Sequence, residues 1–329
     1  MEKTLKFRLV IFVIILAVLL GVSYYFLFTG RKPDTSQVPA SPSSQTEKQK
    51  KISPVSWEAQ GVAIDGSWAD ADVVELGYGN YRMYFAVEPE VPGNKLEVYS
   101  ATSTDGIDWQ REEEVRREFS VFPDVIKLPD GRWRMYFQNQ SVIKSAISPD
   151  GLGWTDEAGV RIDKTESGFN IENNGAPSSI RLDDSTYLMV YRGIVPQKYS
   201  PEVPNKDTGL FFYATSSDGL TWQKRGIALD SRNSKLAGWV DGAEFVKWDR
   251  DALRLYFWSY KGVYHIVYKN GVFSKKPVFD FTNSSDSNRP FPENPPGDPT
   301  LAKINGKWFL YYGQHTKGIF YATLTSKKE

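Results

Sequence analysis

The acidic residues of this chain recur where they could do proton-transfer chemistry. Trp68, Asp70 and Asp72 precede one apolar run, Asp124 the next, and Glu172, Asn173 and Asn174 a third. Trp239, Asp241 and Glu244 precede a fourth, and Asp298 a fifth. Each run has an apolar partner, and behind the partners come Glu88, Gln138, Asn139, Arg192, Tyr260, Gln314 and His315. If these positions share one concavity, two or three carboxyls face each other with Trp68 and Trp239 as stacking platforms. One carboxyl could protonate a glycosidic oxygen while another activates water or attacks the sugar. Confined like charges would raise at least one carboxyl into the acid form that such a donor needs. The bland alternative is structural, because acids there could also cap turns, accept from backbone amides or ring a structural cation on an axis.

Other chemistries are excluded by composition. The chain has no cysteine, which removes disulfides, thiolate metal sites and a thiol nucleophile. With only His265 and His315, a histidine-rich metal centre is not expected, and no cofactor is required. Lys plus Arg and Asp plus Glu balance at 40 each, so no global field favours nucleic acid.

The elements that must position the acids repeat. Phe122–Asn139 reads as two short apolar strands around a Pro129-Asp130-Gly131 turn, a β-hairpin signal. Similar hairpins lie at Asp72–Phe85, Pro177–Tyr191, Glu244–Phe257 and Pro299–Tyr312. Their second strands open at Tyr81, Trp133, Tyr187, Leu253 and Trp308, spaced 52 to 66 residues apart. That spacing fits four short strands per unit, the size of a propeller blade.

Three units add a hairpin of the form S-x-D-G-x-x-W: Ser103–Trp109, Ser148–Trp154 and Ser216–Trp222. Its Asp suits turn geometry and its Trp suits packing between blades, so this repeated acid is read as structural. The fourth unit keeps only Lys269–Phe273, and the fifth lacks its outer strand. Val55-Ser56-Trp57 resembles that missing strand, and its addition would close the ring. Antiparallel pairing then puts the starts of the first strands and the ends of the second at one mouth, with the Asp-Gly turns on the opposite face.

Ahead of the propeller, Leu9–Phe28 is a 20-residue run without charge, enough to span about 30 Å of hydrocarbon. It lacks the short apolar core and small-residue cleavage site of a cleaved signal peptide. The residues from Arg31 to Lys51 are rich in Pro, Ser, Gln and Lys, a tether composition. The expectation is an all-β protein: a transmembrane anchor at 1–30, a flexible linker at 31–52 and a monomeric five-bladed β-propeller at 53–329. The propeller is expected outside the cell membrane, anchored by a single pass through residues 9–28.

The repeats resemble the five-bladed propellers of glycoside hydrolase family 43 and the related fructan-active families 32 and 68. The likeness is strongest in Pro296-Gly297-Asp298-Pro299-Thr300-Leu301 with Gly306–Tyr312 and His315, and in Phe122-Pro123-Asp124. It implies a carbohydrate ligand and glycosidase chemistry. Asp70 would be base or nucleophile, Asp241 or Glu244 the proton donor, and Asp124 the group that tunes it. Trp68, Asp72, Asn174, Arg192, Trp239, Asp298 and His315 would bind sugar. The pattern departs at Ala176-Pro177, where the family carries Asp-Pro, and at Asp241, where it carries Glu. Two alternatives use the same mouth or none of its acids: a non-catalytic glycan-binding propeller, and a protein-interaction scaffold.

Overall fold

The computed structural model describes residues 56–249 and 252–324; the expected anchor and the expected linker lie outside the described residues. Five antiparallel sheets follow one another round a ring. The chain starts with β1 (Trp57–Ile64). Blade I is β2 (Trp68–Gly77), β3 (Asn80–Val87), β4 (Glu97–Ser103) and β5 (Gln110–Glu118). Blade II is β6 (Val121–Lys127), β7 (Trp133–Asn139), β8 (Val142–Ser148) and β9 (Thr155–Asp156). Blade III is β10 (Asn173–Arg181), β11 (Tyr187–Val195), β12 (Thr208–Ser216) and β13 (Gln223–Leu229).

Blade IV is β14 (Asp241–Asp249), β15 (Ala252–Ser259), β16 (Gly262–Lys269), β17 (Val272–Phe273) and β18 (Val278–Phe281). Blade V is β19 (Gly297–Ile304), β20 (Lys307–Gly313) and β21 (Ile319–Leu324), completed by β1. The closure expected from the Trp57 region is present: β1 pairs with β21 from Trp57↔Leu324 to Ile64↔Ile319. This covers the outer edge of β21, which would otherwise stay open. Blade IV differs from the four-strand expectation. Its shortened β17 covers only the end of β16, and β18 pairs with the uncovered part at Val263–His265.

The core is divided among the seams. Each of five apolar clusters lies between two neighbouring blades. Strands buried on both faces need apolar residues at consecutive positions, not alternate ones. In β3, Met83 and Phe85 pack towards blade V while Tyr84 packs towards blade II, and all three are fully buried.

The S-x-D-G-x-x-W turns act at these seams. In each, the Ser hydroxyl oxygen and the Asp carboxylate accept the turn's backbone amides. The following Gly carbonyl then accepts a tyrosine hydroxyl from the preceding blade: Tyr311 to Gly106 at 2.7 Å, Tyr84 to Gly151 at 2.8 Å, Tyr136 to Gly219 at 2.7 Å. The turn's Trp stands edge-on to that same tyrosine, with centroids 5.6 to 5.9 Å apart. Arg82 and Arg134 each grip a glutamate of their own blade and reach the Asp150 and Asp218 carbonyls of the next. Blade III carries Val190 where its neighbours carry the tyrosine, and it faces blade IV, which lacks the turn.

Tyr84→Phe or Tyr136→Phe strands a buried glycine carbonyl without its donor. Each substitution is expected to lower unfolding free energy by about 1–3 kcal/mol, measured by urea denaturation of the propeller.

Candidate active site

One backbone device recurs at the start of all five innermost strands. The register slips between Ala69/Asp72, Val121/Asp124, Gly175/Ser178, Asp241/Glu244 and Gly297/Thr300. Within each slip one residue is left-handed: Asp70 (φ 55°), Phe122 (51°), Ala176 (45°), Gly242 (57°) and Asp298 (43°). A β-bulge of this kind re-aims side chains and breaks strict alternation. As a result, consecutive residues in blades I, II and V face the same concavity.

That concavity has a volume of about 430 Å³, the size of a small-molecule site. Asp70, Asp241 and Asp298 line it, with Glu88 and Glu90 on the flank of blade I. Arg192, Lys206 and Trp239 line the side of blades III and IV, and Gln138 and Asn173 that of blades II and III. Asp241 sits one residue earlier in its bulge than Asp70 and Asp298 in theirs.

The three mouth carboxyls have different partners. Asp70 Oδ2 accepts the Phe122 amide at 3.1 Å, and Asp298 Oδ1 accepts the Trp258 indole N–H at 2.9 Å. Asp241 is tied on both oxygens, Oδ2 by the Arg192 guanidinium and Oδ1 by the Gly242 amide. Burial, then the charge of Asp298 and of Glu88, holds Asp70 well above the usual carboxylate range. Asp298 is likewise pushed well up by burial and by Asp241. Burial also raises Asp241, with Arg192 opposing it.

A second ring lies two residues further along each strand, about 6–7 Å deeper at ordinary strand rise. It consists of Asp72, Asp124, Ser178, Glu244 and Thr300. Here the side chain of one blade accepts an amide of the next: Asp72 from Val125 at 2.8 Å, Asp124 from Ser179 at 3.0 Å, Ser178 from Phe245 at 2.9 Å. Ser179 Oγ also donates to Asp124 at 2.5 Å, and Thr300 Oγ1 to Glu244 at 3.5 Å. The space among these residues is about 20 Å³, room for roughly one water and not for a sugar ring.

Several sequence expectations are therefore corrected. Asp72, Asp124 and Glu244 do not line the mouth; the bulge sends them below it. Trp68 is no platform, because its indole donates to the Asp65 carbonyl and packs edge-on against Phe85 and Tyr99. Asn174 is fully buried and turned to the Asp163 carbonyl and Glu166. Among the described residues no group of three or more acids and histidines could hold a metal ion, so the alternative of a structural cation ringed by these acids finds no ligand cluster there. Asp70, Asp241, Asp298, Arg192, Trp239 and His315 do come together, His315 from a short 3₁₀ turn with its ring 4.0 Å from Glu90.

Sequence reasoning misses Trp258, Glu90 and Lys206. Trp258 carried a usable signal. It lies two residues after Tyr256, as Gln138 follows Tyr136, so strand register alone would place it at the mouth.

Comparison with family models finds no match, and neither does comparison with curated proteins. Solved structures do match. A family 43 β-xylosidase/α-arabinofuranosidase from a compost microbial metagenome, in complex with xylotriose, is similar at 16% identity and TM-score 0.58. The match covers 83% of this chain and 96% of that one. A structure from glycoside hydrolase family 130, mannoside phosphorylases with members that target β-1,2-mannosidic linkages in Candida mannan, matches at 14% and 0.59, covering 85% and 96%. A family 43 enzyme from Xanthomonas citri matches at 11% and 0.57, covering 82% and 92%. These likenesses establish the fold.

The deep ring gives a pH test. Burial raises Asp72 to about 7, although the Val125 and Val73 amides oppose the shift. The folded state then holds its proton above the unfolded carboxylate range, so stability falls as pH rises from about 4 to 7. Between pH 5 and 8 this group is expected to remove roughly 3 kcal/mol. Asp72→Asn keeps an acceptor for Val125 and should flatten the slope by that amount, read by urea denaturation at both pH values.

Proposed function

We propose that this protein hydrolyses a glycosidic bond of an oligo- or polysaccharide at the propeller mouth. The observation that carries the reading is the convergence of Asp70, Asp241 and Asp298 in one open concavity with Arg192 and Trp239. Strongly raised carboxyls are what proton donation needs near neutral pH, and the Arg192 guanidinium opposes the rise at Asp241. Polar atoms supply the rest. The Trp239 indole N–H, Arg192 Nε, Gln138 Oε1 and Asn173 Oδ1 belong to lining residues and are buried without hydrogen-bond partners among the described residues. The half-buried Trp239 ring suits stacking on a sugar face.

The solved relatives described above, which include enzymes of glycosidic bonds, support the same reading. A protein-interaction scaffold is disfavoured, since its mouth acids would be expected to pair off with arginines. Of the three, only Asp241 has an ion pair among the described residues. A non-catalytic glycan-binding propeller has one observation in its favour, Ala176 in the bulge where the resemblance puts a carboxylate. The propeller works outside the cell, tethered through the uncharged run Leu9–Phe28 and the polar segment after it.

Residues 53–329 are expected to release reducing sugar or aryl aglycone from some member of a panel of aryl glycosides and cell-wall polysaccharides. Asp70→Asn should lower kcat/KM about 10²–10⁴-fold with the fold retained by circular dichroism. Glycan binding without turnover by the wild type would favour the binding module. The full chain should sediment with membranes and resist alkaline carbonate, while 53–329 stays in the soluble fraction.

A further inference from the structure

The mouth carboxyls divide by accessibility as well as by partners. Asp241 has both oxygens engaged and is 4% exposed, and its Arg192 partner is itself enclosed between the rings of Phe122 and Trp239. Asp70 is also 4% exposed. Asp298 is only part-buried and spends one oxygen on the Trp258 indole, which leaves Oδ2 with no hydrogen bond among the described residues. Its seat is built. A Cβ on Gly242 would fall 2.5 Å from both the Asp298 Cα and its Oδ1, and Gly297 lies against the Trp258 ring. Asp70 and Asp298 also hold the same bulge position in adjacent blades, the two acids among five such residues.

Resting on the glycosidase reading above, we propose that Asp298 is the proton donor of the reaction, with Asp70 as its base. Asp241 and Arg192 then form a pair that binds and orients the sugar. A donor must reach the glycosidic oxygen, whose leaving group projects towards solvent, and of the three aspartates Asp298 is the most open to it. A base needs to reach only a water, a task open to the more enclosed Asp70. In the step, the protonated Asp298 gives its proton to the glycosidic oxygen as the bond from the anomeric carbon to that oxygen breaks. Asp70 takes a proton from water as the water oxygen bonds to the anomeric carbon. One water is added across the bond, and proton exchange with solvent restores both carboxyls. Burial, then the charges of Asp241 and Glu88, favour the protonated form of Asp298, and in that form it no longer adds the charge that helps to raise Asp70.

The test compares Asp298→Asn and Asp241→Asn on two glycosides of one sugar, with phenyl and 2,4-dinitrophenyl leaving groups. A dinitrophenolate leaves without a proton and a phenolate needs one. Asp298→Asn is expected to lower kcat about 10²-fold or more on the phenyl glycoside and less than about 10-fold on the dinitrophenyl glycoside. It should also remove the alkaline limb of the kcat/KM profile. Asp241→Asn should raise KM for both substrates by a similar factor and keep that limb. Asp298→Glu keeps a carboxyl, and its alkaline limb should shift and persist, so the assignment stays testable if the Asn variant folds poorly. Leaving-group dependence in Asp241→Asn and none in Asp298→Asn would overturn the assignment and leave the glycosidase reading intact. Absence of wild-type turnover on the whole panel would overturn both.

Discussion

The ring depends on hydrogen bonds that cross from one blade to the next. Near the axis, a side chain of three innermost strands accepts an amide of the next: Asp72 from Val125, Asp124 from Ser179 and Ser178 from Phe245. Further out, Tyr84, Tyr136 and Tyr311 donate to glycine carbonyls of the following blade. Both sets sit at seams filled by apolar clusters, where an unpaired amide or carbonyl would be expensive. Using carboxyls as acceptors has an electrostatic consequence. Burial pushes Asp72, Asp124 and Glu244 upward, and the last two also feel the charges of their ring neighbours. The ring is therefore most stable when some of these carboxyls are protonated.

The seams also sustain the strained geometry of the mouth. Four of the five bulge residues are not glycine, yet all adopt left-handed backbone. That conformation costs roughly 1–2 kcal/mol for an ordinary residue. Pairing on both sides of the bulge holds each residue in place. The gain is a change of phase: Asp241 and Asp298 reach one concavity from unequal bulge positions, which a regularly alternating strand does not permit. Within that concavity the ion pair to Arg192 separates Asp241 in character from Asp70 and Asp298. Three similar residues thus acquire different chemistry from their neighbours alone.

The blade framework was legible because it rests on local chemistry repeated many times. Asp-Gly turns, apolar pairs such as Met83 with Phe85, and the Trp57 strand each carry their meaning within a few residues. Even the turn aspartates 105, 150 and 218 were readable as scaffold, because their carboxylates accept amides two and three residues ahead. The site was legible only in outline. Strand direction places Asp70, Asp241, Asp298, Arg192 and Trp239 at the mouth, but it also points Trp68, Asn174, Asp124 and Glu244 there, and these lie elsewhere. Strand direction says which end of a blade a residue occupies, and not which way its side chain turns once a bulge intervenes.

The sequence by itself determined the blade count, the ring closure and the end of the ring where acids gather, because hydrophobic period and turn chemistry are local and add up over five copies. Tertiary structure alone decided depth and partnership. A bulge shifts one acid above another, Gly242 leaves room for Asp298, and Arg192 claims Asp241 from another blade. These are contacts between residues far apart in the chain, and no local pattern encodes the distance at which they meet.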